Sequence, residues 1–119
     1  MNTHVRGRGF EELAERHLRQ AGFVVVARNF RCGREEIDLV ARRGTLVAFV
    51  EVKGRARRDA GHPLHAIGPR KRAAIARVAR DWIREHGRPG ESYRFDAVAI
   101  LPCEEGWEVD HVTDAWRLG

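Results

Sequence analysis

Apolar residues recur at helical spacing in two parts of the chain, and each stretch ends at a glycine. The first set precedes Gly22 and consists of Phe10, Leu13, Ala14, His17, Leu18 and Ala21. The second lies between Pro69 and Gly87 and consists of Ile75, Val78, Ala79, Trp82 and Ile83. A three-and-four spacing places such residues on one helix face, proline suits a first turn, and glycine suits a stop. The pattern therefore predicts helices over roughly residues 9–21 and from Pro69 to Gly87.

Five other stretches are rich in β-branched and aromatic residues and are bounded by glycine, proline or charged turns. They predict strands at residues 23 to about 31, 36–42, 46–53, 95–101 and 107–112. Residues 54–68 form a basic, glycine- and proline-bearing loop between them. The resulting order, α-β-β-β-α-β-β, predicts an α/β or α+β domain with a mixed central sheet flanked by helices.

Length and composition fit one soluble domain over residues 1–119. The core is expected at about residues 7–101, with an acidic extension at 102–119 that caps a sheet edge or faces a second subunit. Cys32 and Cys103 stand far apart and read as free thiols. No apolar leader or run near the ~20 residues of a membrane span occurs, so a cytoplasmic protein without a membrane partner is expected.

Charge adds a candidate partner. The net charge is +5, but residues 102–119 hold one arginine against five acids, which leaves residues 1–101 at +9. A basic body favours polyanions such as nucleic acid. An arginine-rich proteome gives the same balance, so charge alone does not decide between the two explanations.

The informative stretch is the hairpin formed by the second and third strands. A two-residue turn at Gly44-Thr45, with glycine first as in type II′, makes the numbers of paired residues sum to 89. Three pairs then share one apolar face that must lie against a helix: Ile37 with Val52, Leu39 with Val50, and Ala41 with Ala48.

The other face of that hairpin carries charge. Asp38 lies opposite Glu51, Glu36 opposite Lys53, and Val40 opposite Phe49. Two carboxylates about 5 Å apart across a ladder repel, and a divalent cation between them removes the repulsion. The alternative is a Glu36–Lys53 salt bridge with both other acids in solvent. Because Asp38 and Glu51 interrupt apolar strands, we favour a site.

The chemistry of this set suits phosphodiester hydrolysis. Oxygen ligands without thiolates favour Mg²⁺ or Mn²⁺, with Asp38, Glu51 and the Val52 carbonyl as ligands. Lys53 is expected to position or deprotonate water, or to stabilise charge on phosphorus. The basic loop that follows carries arginines for holding phosphates, namely Arg55, Arg57 and Arg58.

Asp38 with Glu51-Val52-Lys53 resembles the D…(D/E)-x-K signature of restriction-endonuclease-like nucleases, the PD-(D/E)xK superfamily, whose core is αβββαβ. The wider context resembles the YraN-like family of endonuclease-related bacterial proteins over roughly residues 7–101. The matching segments are Gly7-x-x-x-Glu11, Arg28-Asn29-Phe30-Arg31, Glu36-Ile37-Asp38-Leu39-Val40, Phe49-Val50-Glu51-Val52-Lys53-x-Arg55, Pro69-x-Lys71 and Arg94-Phe95-Asp96.

That resemblance implies a Holliday-junction-resolvase-like fold in which Asp38 and Glu51 bind metal and Lys53 is the catalytic lysine. It further implies that Glu11 completes the metal shell, directly or through water. Lys71 either approaches the site and the nucleic acid or is an ordinary surface residue. Glu35 stands where the family usually has glycine. Resolvase-like folds often act as homodimers, but the sequence defines no interface.

For the remaining histidines and arginines, a structural role is favoured over a functional one. His62 and His65 are separated by proline, which favours a loop over zinc. His17 and His111 stand alone. Arg70, Arg77 and Arg84 oppose the apolar stripe, as on any surface helix, and this favours a solvated face over a DNA track.

The sequence thus predicts a metal-dependent endonuclease acting on DNA, with branched or damaged DNA as candidate substrates. The alternative is a non-catalytic nucleic-acid-binding module that keeps the fold. A protein-interaction scaffold is a third hypothesis, and it gives no reason for two facing carboxylates.

Overall fold

The computed structural model describes residues 3–55 and 61–117. Its elements are α1 (Thr3–Gln20), β1 (Val24–Cys32), β2 (Glu35–Arg43), β3 (Leu46–Gly54), a short 3-10 helix (Pro63–Ala66), α2 (Pro69–His86), β4 (Ser92–Cys103) and β5 (Gly106–Trp116). The predicted order is confirmed. The first helix begins earlier than predicted, the last two strands are longer, and the 3-10 helix was not predicted.

The five strands form one mixed sheet in the order β1-β2-β3-β4-β5. All neighbours run antiparallel except β3 and β4, which run parallel. A parallel pair needs a crossover connection, and α2 supplies it. The acidic C-terminal segment forms β5 along the edge of β4, so of the two roles expected for it the structure supports the sheet edge.

The two helices cover opposite faces of the sheet. On one face α1 packs against residues of β2, β3 and β4, with Ala14 and Leu18 fully buried. On the other face α2 packs through its predicted stripe, and Trp82 meets the Phe49 ring edge-on at 5.7 Å between centroids. The molecule is therefore a three-layer mixed α/β fold.

The start of the sheet is fixed by the end of α1. Gly22 adopts a positive φ of 92°, its N–H donates to Arg19, and the Phe23 N–H donates to Leu18. This pair of bonds is the Schellman motif, and its hydrophobic contact is present because Phe23 and Leu18 share one core cluster. The motif therefore ends α1 and directs the chain into β1. Across residues 3–55 and 61–117, no helix is long and apolar enough to cross a membrane.

Candidate functional site

The β2–β3 hairpin has the predicted register as far as Leu39 and Val50. The three pairs predicted beyond them are not part of the ladder, namely Ile37 with Val52, Asp38 with Glu51, and Glu36 with Lys53. Leu39 pairs with Val50, Ala41 with Ala48, and Arg43 with Leu46. The positive φ of 60° falls on Gly44, the first turn residue, as a type II′ turn requires. The turn and the two-residue alternation together fix which side chains of β3 face which side chains of β2.

The two strands part beyond Leu39 and Val50, and this separation creates the site. The Val52 N–H donates to the Asp38 carboxylate (Val52 N to Oδ2, 2.8 Å). The aspartate side chain thereby satisfies a backbone donor at the point where the regular pairing ends.

The prediction that Ile37 shares a face with Leu39 is wrong. Ile37 joins the core cluster under α2, whereas Leu39 joins the one under α1. Residues two apart in a regular strand share a face, so the alternation of β2 is broken at Asp38. On β1 the neighbouring break is at Asn29, which adopts a φ of 50°. The two breaks lie opposite each other, because Arg28 pairs with Leu39 and Phe30 pairs with Ile37.

Glu51 is the most unusual residue of the site. Only 1% of its surface is exposed, and its Oε1 has no hydrogen-bond partner in the described part of the chain. Burial raises the pKa of Glu51 to about 8, the charge of Asp38 adds to the effect, and Lys71 and Lys53 oppose it. Burial also raises the pKa of Asp38, to about 6, against the Val52 N–H that lowers it. Two carboxylates are thus held together in a place that disfavours their charge.

Two lysines flank these acids. Lys53 acts electrostatically on Asp38, Glu51 and Glu35. Lys71, in the first turn of α2, donates to Glu35 (Nζ to Oε1, 2.5 Å). Partial burial lowers the pKa of Lys71, but Glu35 and the charges of Glu51 and Asp38 outweigh burial and raise it. Of its two expected placements, Lys71 takes the one beside the site.

The alternative pairing of Glu36 with Lys53 is not the one that forms. Glu36 instead accepts from Arg31 (Oε2 to Nη2, 3.2 Å). Glu35, at the position where the sequence resemblance implies glycine, accepts a hydrogen bond from Lys71. Glu36 therefore forms its surface salt bridge with β1 and not with Lys53 of β3.

Glu11 lies at the edge of the site. Its Oε1 accepts from Asn29 (Nδ2, 3.2 Å), and its charge contributes to raising the pKa of Asp38. The adjacent Phe10 is held against Gly54, where an added Cβ would stand 2.3 Å from the ring. This close approach fixes the α1 backbone over the end of β3, directly after Lys53.

Few side chains at the site could bind a metal ion. Among residues 3–55 and 61–117, no three His, Cys, Asp or Glu side chains converge closely enough to hold a metal ion. Asp38 and Glu51 remain as a pair, and the unpartnered Oε1 of Glu51 is a free oxygen donor. One or two carboxylates suit Mg²⁺, which keeps several waters and shares substrate phosphates. The residues therefore fit Mg²⁺ or Mn²⁺, while roles for the Val52 carbonyl and Glu11 stay predictions.

The remaining predicted residues separate into two groups. Arg55 follows β3, and its N–H donates to Ile100 (N to O, 3.1 Å); Arg57 and Arg58 lie outside the described residues. His62 caps the 3-10 helix by accepting from the Leu64 N–H and also bonds Asp110. This structural role agrees with the prediction of a loop.

A second buried acid escaped the sequence argument. Asp96 on β4 is fully buried and accepts from Arg94, from His111 (Nε2, 2.9 Å) and from the Asp114 N–H. His111 in turn bonds His17 of α1 (Nδ1 to Nε2, 3.0 Å), so these histidines do not stand alone. Burial would raise the pKa of Asp96, but these bonds outweigh it and lower the pKa. The spacing Arg94-x-Asp96 could have predicted the contact between these two side chains, because residues two apart share a strand face.

Fold and site together define a mixed α/β protein whose central hairpin ends in one buried and one half-buried carboxylate, flanked by two lysines. The family model of the uncharacterised protein family UPF0102 matches residues 10–100, and the chain belongs to that family. A UPF0102 protein of Chloroherpeton thalassium is 36% identical, with 98% of each chain covered. One from Leifsonia xyli is 42% identical over 80% of each chain, and one from Nocardia farcinica is 47% identical over 76% of this chain and 72% of the relative.

Proposed function

We propose that this protein is a Mg²⁺- or Mn²⁺-dependent nuclease that hydrolyses phosphodiester bonds in DNA. The observation that carries the proposal is Glu51, a buried carboxylate with an unpartnered oxygen beside Asp38. Burying such a group without a partner costs stability, and folded proteins tolerate it most readily where a ligand completes it.

The order of elements supports the same class. The series α1-β1-β2-β3-α2-β4 has the αβββαβ order of the restriction-endonuclease-like core that the sequence resemblance implies. In that resemblance the acids and the lysine come from the second and third strands, which is where Asp38, Glu51 and Lys53 lie. We therefore propose a Holliday-junction-resolvase-like nuclease core, with branched DNA as a candidate substrate.

Each residue has a role in this proposal. Asp38 and Glu51 would hold the metal, and the Val52 N–H keeps one Asp38 oxygen oriented. When bound, Mg²⁺ or Mn²⁺ supplies Lewis-acid polarisation of the phosphoryl group and makes water more acidic. Lys53 would orient the attacking water or stabilise negative charge as it grows on phosphorus, and Lys71 would contact a neighbouring phosphate.

Cleavage of a labelled panel tests the proposal: single strand, duplex, flap, four-way junction and RNA, each with Mg²⁺, Mn²⁺ or EDTA. We expect metal-dependent cutting of at least one DNA substrate. Asp38→Asn and Lys53→Ala should lower its rate by at least about 100-fold, as removal of a transition-state contact commonly does. Glu12→Gln is the matched control, because Glu12 is an exposed acid of α1.

Cutting that persists in EDTA, or in both variants, would overturn the assignment. Binding of DNA without cutting on any substrate would instead support the non-catalytic binding module. Loss of cutting in the Glu12→Gln control would show that charge alone, rather than the site, is responsible.

A further inference from the structure

A shallow groove runs between the β1–β2 turn and α2, outside the residues assigned to the metal. Its walls include Arg34 from the turn and Arg77 from the helix. Its lining also includes the small residues Gly33 and Ala74, and nothing lies within 4 Å of a Cβ added at Gly33. The groove is therefore open to a ligand that lies across the surface.

The charges in this groove are unbalanced. Two acids line it, but each has a cation: Glu35 pairs with Lys71 and Asp81 pairs with Arg84. Arg34 and Arg77 are exposed, and within residues 3–55 and 61–117 neither has an ion-pair partner. Elsewhere arginines of this chain do pair, as Arg42 does with Glu91. The lining thus leaves about two positive charges for a ligand, and such surfaces attract polyanions.

The groove leads to the candidate site. Glu35 lines the groove and accepts a hydrogen bond from Lys71, whose charge acts on Glu51 and Asp38. Arg70 is exposed on the same side of α2, seven residues before Arg77. Seven helical residues span about 10 Å, the length of about three nucleotides along one strand. The spacing suits a nucleic-acid backbone that runs along α2 toward the carboxylates.

We propose that this groove holds the phosphate backbone of the DNA on one side of the cleavage site, with Arg34 and Arg77 as phosphate-contacting residues. The inference rests on the proposed nuclease function and adds the direction in which the substrate leaves the site. Phosphate contacts fix position without reading sequence, so the groove should favour duplex arms of any sequence. The sequence pattern favoured a solvated helix face for the stripe of Arg70, Arg77 and Arg84. In this proposal part of that stripe contacts DNA phosphates.

Equilibrium binding of a labelled 20-base-pair duplex in EDTA tests the groove without any cleavage. The variant is Arg34→Gln/Arg77→Gln. The control is Arg16→Gln/Arg88→Gln, which removes the same charge from two exposed arginines, one on α1 and one beyond the far end of α2. We expect the groove variant to bind about 10-fold more weakly near 0.1 M salt, and its log–log salt slope to fall by about 2. The control should change affinity by less than about 3-fold.

Equal weakening in both variants, or wild-type binding by the groove variant, would overturn the groove. So would a wild-type protein that does not bind duplex in EDTA. None of these results depends on turnover, and loss of cutting in Asp38→Asn does not depend on the groove, so the two proposals fail separately. Circular dichroism checks that both double variants are folded.

Discussion

Two buried carboxylates on neighbouring strands of the sheet, Asp96 and Glu51, have opposite surroundings: one is fully hydrogen-bonded and the other is not. Asp96 on β4 is fully buried and surrounded by donors from Arg94, His111 and the Asp114 backbone. Glu51 on β3 is 1% exposed and has an oxygen with no partner in the described chain. Burial is the same, but the pKa falls in the first case and rises in the second. The difference separates an acid that holds the fold together from one that is available to a ligand.

The two acids differ in the groups that surround each carboxylate. A buried charge stabilises a fold only when partners replace the lost water, and removing one partner of such a network is costly. Asp96 ties β4 to β5 directly and to α1 through His111 and His17. Against burial and the charge of Asp38, Glu51 has the nearby charges of Lys71 and Lys53 and a hydrogen bond to the Asp38 backbone. Substitution at the two positions should therefore affect different properties.

The largest expected effect on stability is at Asp96. Asp96→Asn removes the charge that Arg94 and His111 face, and should lower the free energy of unfolding by about 3 kcal/mol, since breaking buried pairs typically costs 3–5 kcal/mol and Arg94 is partly solvated. Glu51→Gln should raise it instead, because at pH 7 the wild type must take up a proton at Glu51 in order to fold and glutamine needs none. Urea unfolding at pH 7 with EDTA measures both.

Equal destabilisation by the two substitutions would contradict the comparison, because it would mean that Glu51 is also held by structural bonds. Glu85→Gln serves as a reference, since Glu85 is exposed on α2 and its loss should be nearly neutral.

The next effect concerns metal. Mn²⁺ at about 100 times its dissociation constant should raise the stability of the wild type by about 2.7 kcal/mol. Glu51→Gln should lose this gain, whereas Asp96→Asn should keep it although it unfolds more easily. Thermal unfolding with and without Mn²⁺ measures the gain, at about 10 °C for a domain of this size. An equal Mn²⁺ shift in wild type and Glu51→Gln would remove Glu51 from the proposed metal site.

The parts of this arrangement that the sequence could predict are local. The Gly44-Thr45 turn and the alternation of β2 and β3 determine the hairpin register, which was predicted correctly from the turn as far as Leu39 and Val50. Asp38 and Glu51 interact electrostatically, but not as the ladder pair that was predicted. The helices follow from apolar spacing and from stops at Gly22 and Gly87. In each case the determining residues lie within a few positions of one another.

The missed features depend on contacts between distant segments. Ile37 was placed on the wrong face because the alternation of β2 breaks at Asp38, opposite Asn29 of β1, and the hairpin pattern carries no information on β1. The Asp96 network gathers groups from α1, β4 and β5, and its histidines are 94 residues apart. Lys71 reaches the site through Glu35, 36 residues away. No local pattern encodes such meetings, so only the folded chain reveals them.

The smallest effect is a dependence of stability on pH without metal. Glu51 has an ordinary pKa of 4.5 and a folded pKa of about 8. Between these values the folded state holds a proton that the unfolded state has lost. The contribution of Glu51 to the free energy of unfolding is therefore fully present below pH 4.5 and is lost as pH rises through 8. Asp38, with a folded pKa of about 6, has lost its similar contribution by pH 7. The pKa of Asp96 is lowered, so its stabilisation is lost only in acid.

Between pH 7 and pH 8 the titration of Glu51 therefore gives the largest change in stability among these three acids. The free energy of unfolding of the metal-free wild type should fall by about 1 kcal/mol over that interval, and Glu51→Gln should abolish most of the fall. Urea unfolding at the two pH values, each with EDTA, measures both chains. A wild type that becomes more stable as pH rises would mean that Glu51 is charged and well partnered in the folded protein. Its free oxygen, on which the proposed metal site depends, would then need another explanation.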